Sequence, residues 1–285
     1  MMKLVLILLV LFVAYNSKEQ QQNNSETIIN NVDSLAKYSY LIFGYNVLKH
    51  TSEGDSINFI IGTCFFVQDN DITFLVSAKH VLTGWNTDSS KKTIPYPDTL
   101  CIRLYDSQGN IIFVPIRIKR IKDTIKGGYG YSDPDVFVYK CEEVKNYKIN
   151  SIKAFYNQNK DKYLRSISVY GYPFHESINH QNIEKFSNQK PILTEGIMIS
   201  ALSDKVLINR LNKTFLDTLN YHIKTNVSVS RQGYSGSPVF TKNKQNNQWL
   251  FYGIFSMEDK DYLGASIVKP NIVIQKIKER IHTTY

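Results

Sequence analysis

The stretch INFIIGTCFFVQDNDITFLVSA, residues 57–78, decides the fold class. Two runs rich in Ile, Phe and Val flank the polar tetrad Gln68–Asp71. Branched and aromatic residues favour pleated, half-buried backbone, while Asn and Asp favour a tight reversal, so the stretch reads as a β-hairpin. The same grammar repeats outward from it. LCIRLYD (100–106), NIIFVPIRIKRI (110–121) and DVFVYKCE (135–142) continue one set of strands. RSISVYGYP (165–173), TEGIMISAL (194–202), KVLINRL (205–211), YHIKTNV (221–227), SPVFT (237–241), WLFYGIFS (249–256) and LGASIVKP (263–270) form a second. Only NIVIQKIKERI (271–281) has helical spacing, with Ile272, Ile274, Ile277 and Ile281 on one side. The chain is therefore all-β with a C-terminal helix at 271–282. Its two strand sets, split near residue 160, predict two antiparallel six-stranded barrels, about 36–160 and 161–270.

Composition narrows the function classes. At 285 residues and 42% hydrophobic content the chain is a folded globular protein. Its formal charge of +9 is spread along the sequence. The densest basic run, IRIKRIKDTIK (116–126), alternates Ile with Lys or Arg, which is the period of a strand with one solvated face; a nucleic-acid partner is not expected. Cys64, Cys101 and Cys141 cannot all pair in one chain and have no metal-ligand spacing. At the N-terminus, Lys3 precedes an apolar run from Leu4 to Tyr15 and then a Gln/Asn-rich stretch. This run is shorter than the ~20 residues a spanning helix needs and has the layout of a secretory signal. Residues 1–17 are read as that signal or a short membrane anchor, and 18–35 as a polar linker. The protein is expected to be exported, secreted or periplasmic, with a membrane tether through residues 4–15 as the alternative to release.

The second informative stretch is SRQGYSGSPVF, residues 230–240. Gly233, Gly236 and Pro238 punctuate a turn, and Ser235 sits at its tip, either as an ordinary turn residue or as an exposed nucleophile. The nucleophile elbow G-x-S-x-G fails because Ser237 stands where its second glycine should be. Among the histidines, His80 falls at the first turn after an apolar strand, in FLVSAKHVLTG, where a rigid strand end can hold an imidazole with one edge open. His175 and His180, in FHESINH, are one residue too far apart for the H-E-x-x-H zinc motif. In YSDPDVFVYK, Asp135 directly precedes a strand and is favoured over Asp133 as a carboxylate partner.

These segments resemble those of trypsin-like (chymotrypsin-fold) serine proteases. GTCFFVQDNDITFLVSAKHVL is similar to the family's histidine region, DPDVFVY to its aspartate segment and RQGYSGSPVF to its nucleophile segment, in the family's order. VYGYP with EGIMIS resembles a hairpin of secreted bacterial members, the glutamyl endopeptidase and HtrA-type groups. FYGIFS and GASIV resemble the strands that close the substrate cleft.

The resemblance covers about residues 38–282 and implies a serine endopeptidase acting on proteins or peptides without a cofactor or metal, its site between the two barrels. Ser235 would be the nucleophile, His80 the base and Asp135 its orienting carboxylate. The backbone N–H groups of Gly233 and Ser235 would face the oxyanion. Val229, Ser230, Ser256 and Glu258 would line the substrate pocket. The wall residues Val229 and Ser230 carry no acid, and Phe255 replaces the histidine that reads acidic side chains in glutamyl endopeptidases, so a small or medium apolar residue is expected before the cut. An inactive module of the same fold that binds peptides is the rival reading, and a serine esterase a third.

Tyr234 stands where trypsin has the aspartate that pairs with a newly cleaved N-terminus. Cutting the chain near residue 35 is therefore not expected to switch activity on. Ester turnover before and after limited proteolysis checks this, and a large jump would refute it.

Overall fold

A computed structural model describes residues 31–51, 54–83, 93–94, 99–118, 125–126, 134–153, 163–173, 188–197, 206–210, 213–217, 220–224, 233–243, 245–259 and 264–281. The expected signal and most of the linker lie outside these residues. In chain order the strands are β1 (Tyr40–Thr51), β2 (Gly54–Asp69), β3 (Ile72–Ser77), β4 (Thr93–Ile94), β5 (Thr99–Tyr105), β6 (Ile111–Ile116), β7 (Ile125–Lys126), β8 (Phe137–Lys140) and β9 (Ser151–Lys153). They continue with β10 (Tyr163–Gly171), β11 (Ile192–Ile197), β12 (Val206–Arg210), β13 (Lys213–Asp217), β14 (Asn220–Lys224), β15 (Pro238–Asn243), β16 (Trp249–Asp259) and β17 (Gly264–Val268). Helix α1 (Lys79–Thr83) follows β3, and α2 (Pro270–Ile281) closes the described chain.

The hairpin expected over residues 57–78 is β2–β3. Asp69 pairs with Ile72 across the turn, and Asn70 takes a φ of 53°, a left-handed conformation that Asn tolerates better than most residues. Around it the first sheet runs β6-β5-β1-β2-β3-β8, antiparallel throughout, with β9 added parallel to β2. The second sheet runs β11-β10-β15-β16-β17-β14, also antiparallel.

The fold is all-β with a C-terminal helix, as expected, but the described ladders do not close into barrels. In the second sheet, Cα atoms of the edge strands β11 and β14 come within 8 Å without a paired ladder between them. In the first sheet, a side chain bridges the gap. Glu143, just after β8, accepts the N–H of Arg117 at the end of β6 and the hydroxyl of Tyr139 on β8, both at 2.9 Å. One carboxylate there stands in for a run of backbone bonds.

Strand alternation sorts the side chains of β2 between two of the three buried clusters among the described residues. On β2, Cys64 and Phe66 join Ile42, Leu75, Leu100 and Ile102 inside the first sheet. Phe65 and Val67 point the other way, into a core shared with Phe240, Trp249 and Phe251 of the second sheet. Helix α2 packs on this shared core through Val273, Ile274 and Ile277, with Ile272 and Ile281 partly buried at its margin. Pro270 begins the helix, where a missing N–H costs nothing, and Lys278 and Arg280 face its negative end. All three cysteines are free thiols.

Residues 31–35, expected within the polar linker, are instead built into the molecule. Asn31 accepts the N–H of Asp33 at 2.9 Å and starts a 3-10 helix over Val32–Tyr38. The polar residues are capping residues here, and Leu35, fully buried, fills the shared core beside Tyr38. Ser39 then donates to the Tyr170 carbonyl at 2.8 Å, and its own carbonyl accepts the Tyr172 hydroxyl at 3.0 Å. Truncating Leu35 to Ala is expected to lower unfolding free energy by about 2–5 kcal/mol in urea titration. A loss below about 0.5 kcal/mol would mean this segment is not part of the cooperative unit.

Candidate active site

The register of β3 on β8 brings the histidine and aspartate segments together. Ser77 pairs with Phe137, so Asp135, two residues earlier in its strand direction, lies beside the turn that carries His80. The pair is nearly closed to solvent. His80 Nδ1 lies 2.7 Å from Asp135 Oδ2, and the backbone N–H of His80 donates to Asp135 Oδ1 at 3.0 Å. A third donor, the Ser256 hydroxyl, reaches Oδ2 at 2.5 Å. Burial pushes the Asp135 carboxyl pKa up, but the adjacent His80 charge and these three donors outweigh burial and hold it below the ordinary carboxylate value. An ionised carboxylate only accepts, so Nδ1 carries a proton, and whenever the ring is neutral Nε2 is its basic nitrogen.

Ser235 sits on the turn that leads into β15. The turn is fixed from both halves of the molecule. From the second, the N–H of Gly236 donates to Phe255 O at 2.8 Å and the N–H of Phe255 donates to Ser237 O at 2.9 Å. From the first, Thr63 on β2 donates its N–H to Ser235 O at 3.0 Å and its hydroxyl to Gly233 O at 2.7 Å. Gly233 has φ 101°, a conformation that disfavours any side chain. Among the described residues no backbone acceptor meets the N–H of Gly233 or of Ser235. Gly236 has φ 87°, and a Cβ there would be driven into Thr63 O and Ser77 Oγ.

Ser256 joins the two clusters. The pairing of β16 with β17 shifts register between Phe255 and Met257, leaving Ser256 as the extra residue of a bulge. Its carbonyl accepts the Ser235 hydroxyl at 2.9 Å while its own hydroxyl serves Asp135. A continuous hydrogen-bonded path therefore runs from Ser235 through Ser256 and Asp135 to His80.

The residues expected at the site are thus placed as follows. His80, Asp135, Ser235 and Gly233 come together. Ser256, expected on a pocket wall, is buried and aimed at the carboxylate. Val229, Ser230, Asp133, His175 and His180 lie outside the described residues, and Glu258 is described only as part of the β16 backbone. Tyr234 packs its ring against Phe255 at 6.2 Å and donates its hydroxyl to Ile192 O at 3.3 Å. Thr63 was not singled out in the sequence, although it follows Gly62 within the histidine segment. Among the described residues no group of side chains is arranged to hold a metal ion.

No family model matches the chain, and no curated protein matches it in sequence. Solved structures do resemble it. The Rv3671c protease of M. tuberculosis in its active form is 14% identical with a TM-score of 0.49, covering 90% of this chain and 86% of that one. A thermostable serine protease, AL20, from an extremophilic microorganism is 14% identical at 0.49, covering 88% of this chain and 99% of that one. Protease Anisep from Arthrobacter nicotinovorans is 12% identical at 0.48, covering 84% and 93%. At these scores the likeness assigns no chemistry, and the side-chain geometry has to carry it.

The lowered Asp135 pKa links stability to pH. A carboxyl held below its unfolded value contributes stability that is fully present above that value, about 4, and is lost as pH falls through the folded value. The stability gap between wild type and Asp135→Asn should therefore narrow between about pH 5 and pH 3 in urea titrations. A gap independent of pH would show that the charge of this carboxylate is not what the fold stabilises.

Proposed function

We propose that the chain is an exported serine endopeptidase with Ser235 as nucleophile, His80 as general base and acid, and Asp135 as the group that orients His80. The observation that carries this reading is the buried His80–Asp135 pair joined through Ser256 to Ser235, the exposed-turn serine of the sequence. Ser235 Oγ–H would leave the Ser256 carbonyl and pass its proton to His80 Nε2 as Oγ bonds to the peptide carbonyl carbon. The negative oxygen would be met by the N–H groups of Gly233 and Ser235. Collapse would break the C–N bond, with His80 returning the proton to the leaving amine, and water would repeat the sequence on the acyl-enzyme. Export is supported by the apolar run from Leu4 to Tyr15 behind Lys3.

One observation favours the second reading, an inactive fold relative that binds peptides. The Ser235 proton is committed to the Ser256 carbonyl in this conformation. Treating the protein with a fluorophosphonate probe, followed by intact mass and peptide mapping, separates the two readings. A single adduct on Ser235 is expected, absent in Ser235→Ala and at least about 100-fold slower in His80→Ala. A folded sample that takes no adduct would leave peptide binding as the function.

A further inference from the structure

Arg103 is a buried cation that the hydrolytic reading does not use. On β5, Leu100, Ile102 and Leu104 fill the first sheet's core, so Arg103 projects from the opposite face. It is only 2% exposed there, covered by chain from the other half of the molecule. Its guanidinium carbon lies 4.8 Å from the centre of the Tyr172 ring and 5.9 Å from that of Tyr105. Nη1 donates to the Gln189 carbonyl at 2.5 Å, and the Gln189 side chain donates to Pro173 O at 2.6 Å. Arg103 thus holds residues 172–173 and 189 together across the 14 positions from 174 to 187 that lie outside the described residues. Burying a guanidinium costs several kcal/mol before its partners offset it, and an apolar side chain of similar volume would often stabilise a fold as well. A cation kept in this place points to a requirement for one particular arrangement.

That arrangement is the back of the nucleophile turn. The Tyr172 N–H donates to Thr63 Oγ1 at 3.1 Å, and the same hydroxyl donates to Gly233 O at 2.7 Å. Gly171 lies so close to Tyr234 and Ser237 that a Cβ on it would come within 2.6 Å of both side chains. Any drift of residues 171–172 would be passed to residues 233–237 by contact and by hydrogen bond. We propose that Arg103 is a positioning residue for the hydrolytic site: it fixes Tyr172, Tyr172 fixes the Thr63 hydroxyl, and Thr63 keeps the Gly233–Ser235 turn in the conformation that presents its N–H groups to a reacting carbonyl. The inference rests on the serine-hydrolase reading above.

The test uses the full chain and the rate of fluorophosphonate labelling at Ser235, measured from pH 5.5 to 9. Near-UV circular dichroism and thermal midpoints give the folded fraction. Deleting one oxyanion donor costs about 10²–10³ in rate, so a loosened turn in Arg103→Met should cost less, about 30-fold per folded molecule. The pH midpoint of labelling should stay where it is, because His80 and Asp135 are untouched. Arg103→Lys, which keeps a charge within reach of the Gln189 carbonyl but loses the planar group against Tyr172, should label at a rate between those of Arg103→Met and wild type. Tyr172→Leu should slow labelling as Arg103→Met does, and it decides the question if Arg103→Met does not fold. A folded variant that labels at the wild-type rate overturns the inference, as does a moved pH midpoint, which would put the effect on the imidazole. Wild type that is folded and unlabelled overturns the hydrolytic reading and this inference with it. Labelled wild type with unaffected variants overturns this inference alone.

Discussion

Thr63 is the residue on which the two halves depend. It is fully buried on a central strand of the first sheet, and each of its polar groups has a task in another element. Its hydroxyl takes the Tyr172 N–H and gives a proton to Gly233 O, its own N–H reaches Ser235 O, and its carbonyl accepts Ser77 Oγ at 2.8 Å. Ser77 ends the strand that delivers His80. A single residue, through its side chain and its backbone, therefore references the nucleophile turn to the histidine turn, although the two belong to different sheets. Valine has the same shape, but in its place the Gly233 carbonyl and the Tyr172 N–H would both lose a partner, at about 1–3 kcal/mol each.

The second constraint is electrostatic. A carboxylate out of water is costly, and Asp135 is offset by three donors drawn from three places: an imidazole, a backbone amide and the Ser256 hydroxyl. The bulge at Ser256 makes the third possible. A regularly paired residue would spend its carbonyl on the neighbouring strand, whereas the register shift frees Ser256 to face the carboxylate with its side chain and the serine with its backbone. An irregularity in one sheet thereby satisfies a charge held by the other.

How much of this was legible in the sequence follows from the range of each interaction. Period-2 patterning and Asn/Asp/Gly turns located most strands, because alternation is local. His80, Asp135 and Ser235 stand out as candidates because each sits in a short segment with its own signature. Strand β1 was harder to single out, since Gly44, Asn46 and Lys49 break its apolar run. The polar residues from Asn31 to Ser34 read as linker, yet their polarity caps a helical turn whose depth is set by Leu35. The partners of Thr63, Ser256 and Arg103 lie 170, 121 and 86 residues away along the chain, and no local pattern encodes them. Barrel closure was overread for a related reason: strand patterning says which residues pair, not whether the last edge meets the first.

The segment before β1 has a consequence for how the chain reaches this state. Ser39 bonds to Tyr170 and Tyr172 across sequence separations of 131 and 133. Leu35 and Tyr38 share a core with Phe240, Phe251 and the residues of α2. Contacts of such long range are slow to form, because loop-closure entropy is lost before any burial compensates it. The first part of the domain to be synthesised is thus among the last to find its place. Until the final strands and α2 arrive, Phe65 and Val67 on β2 lack the Phe240, Phe251 and Val273 side chains that cover them in the folded domain.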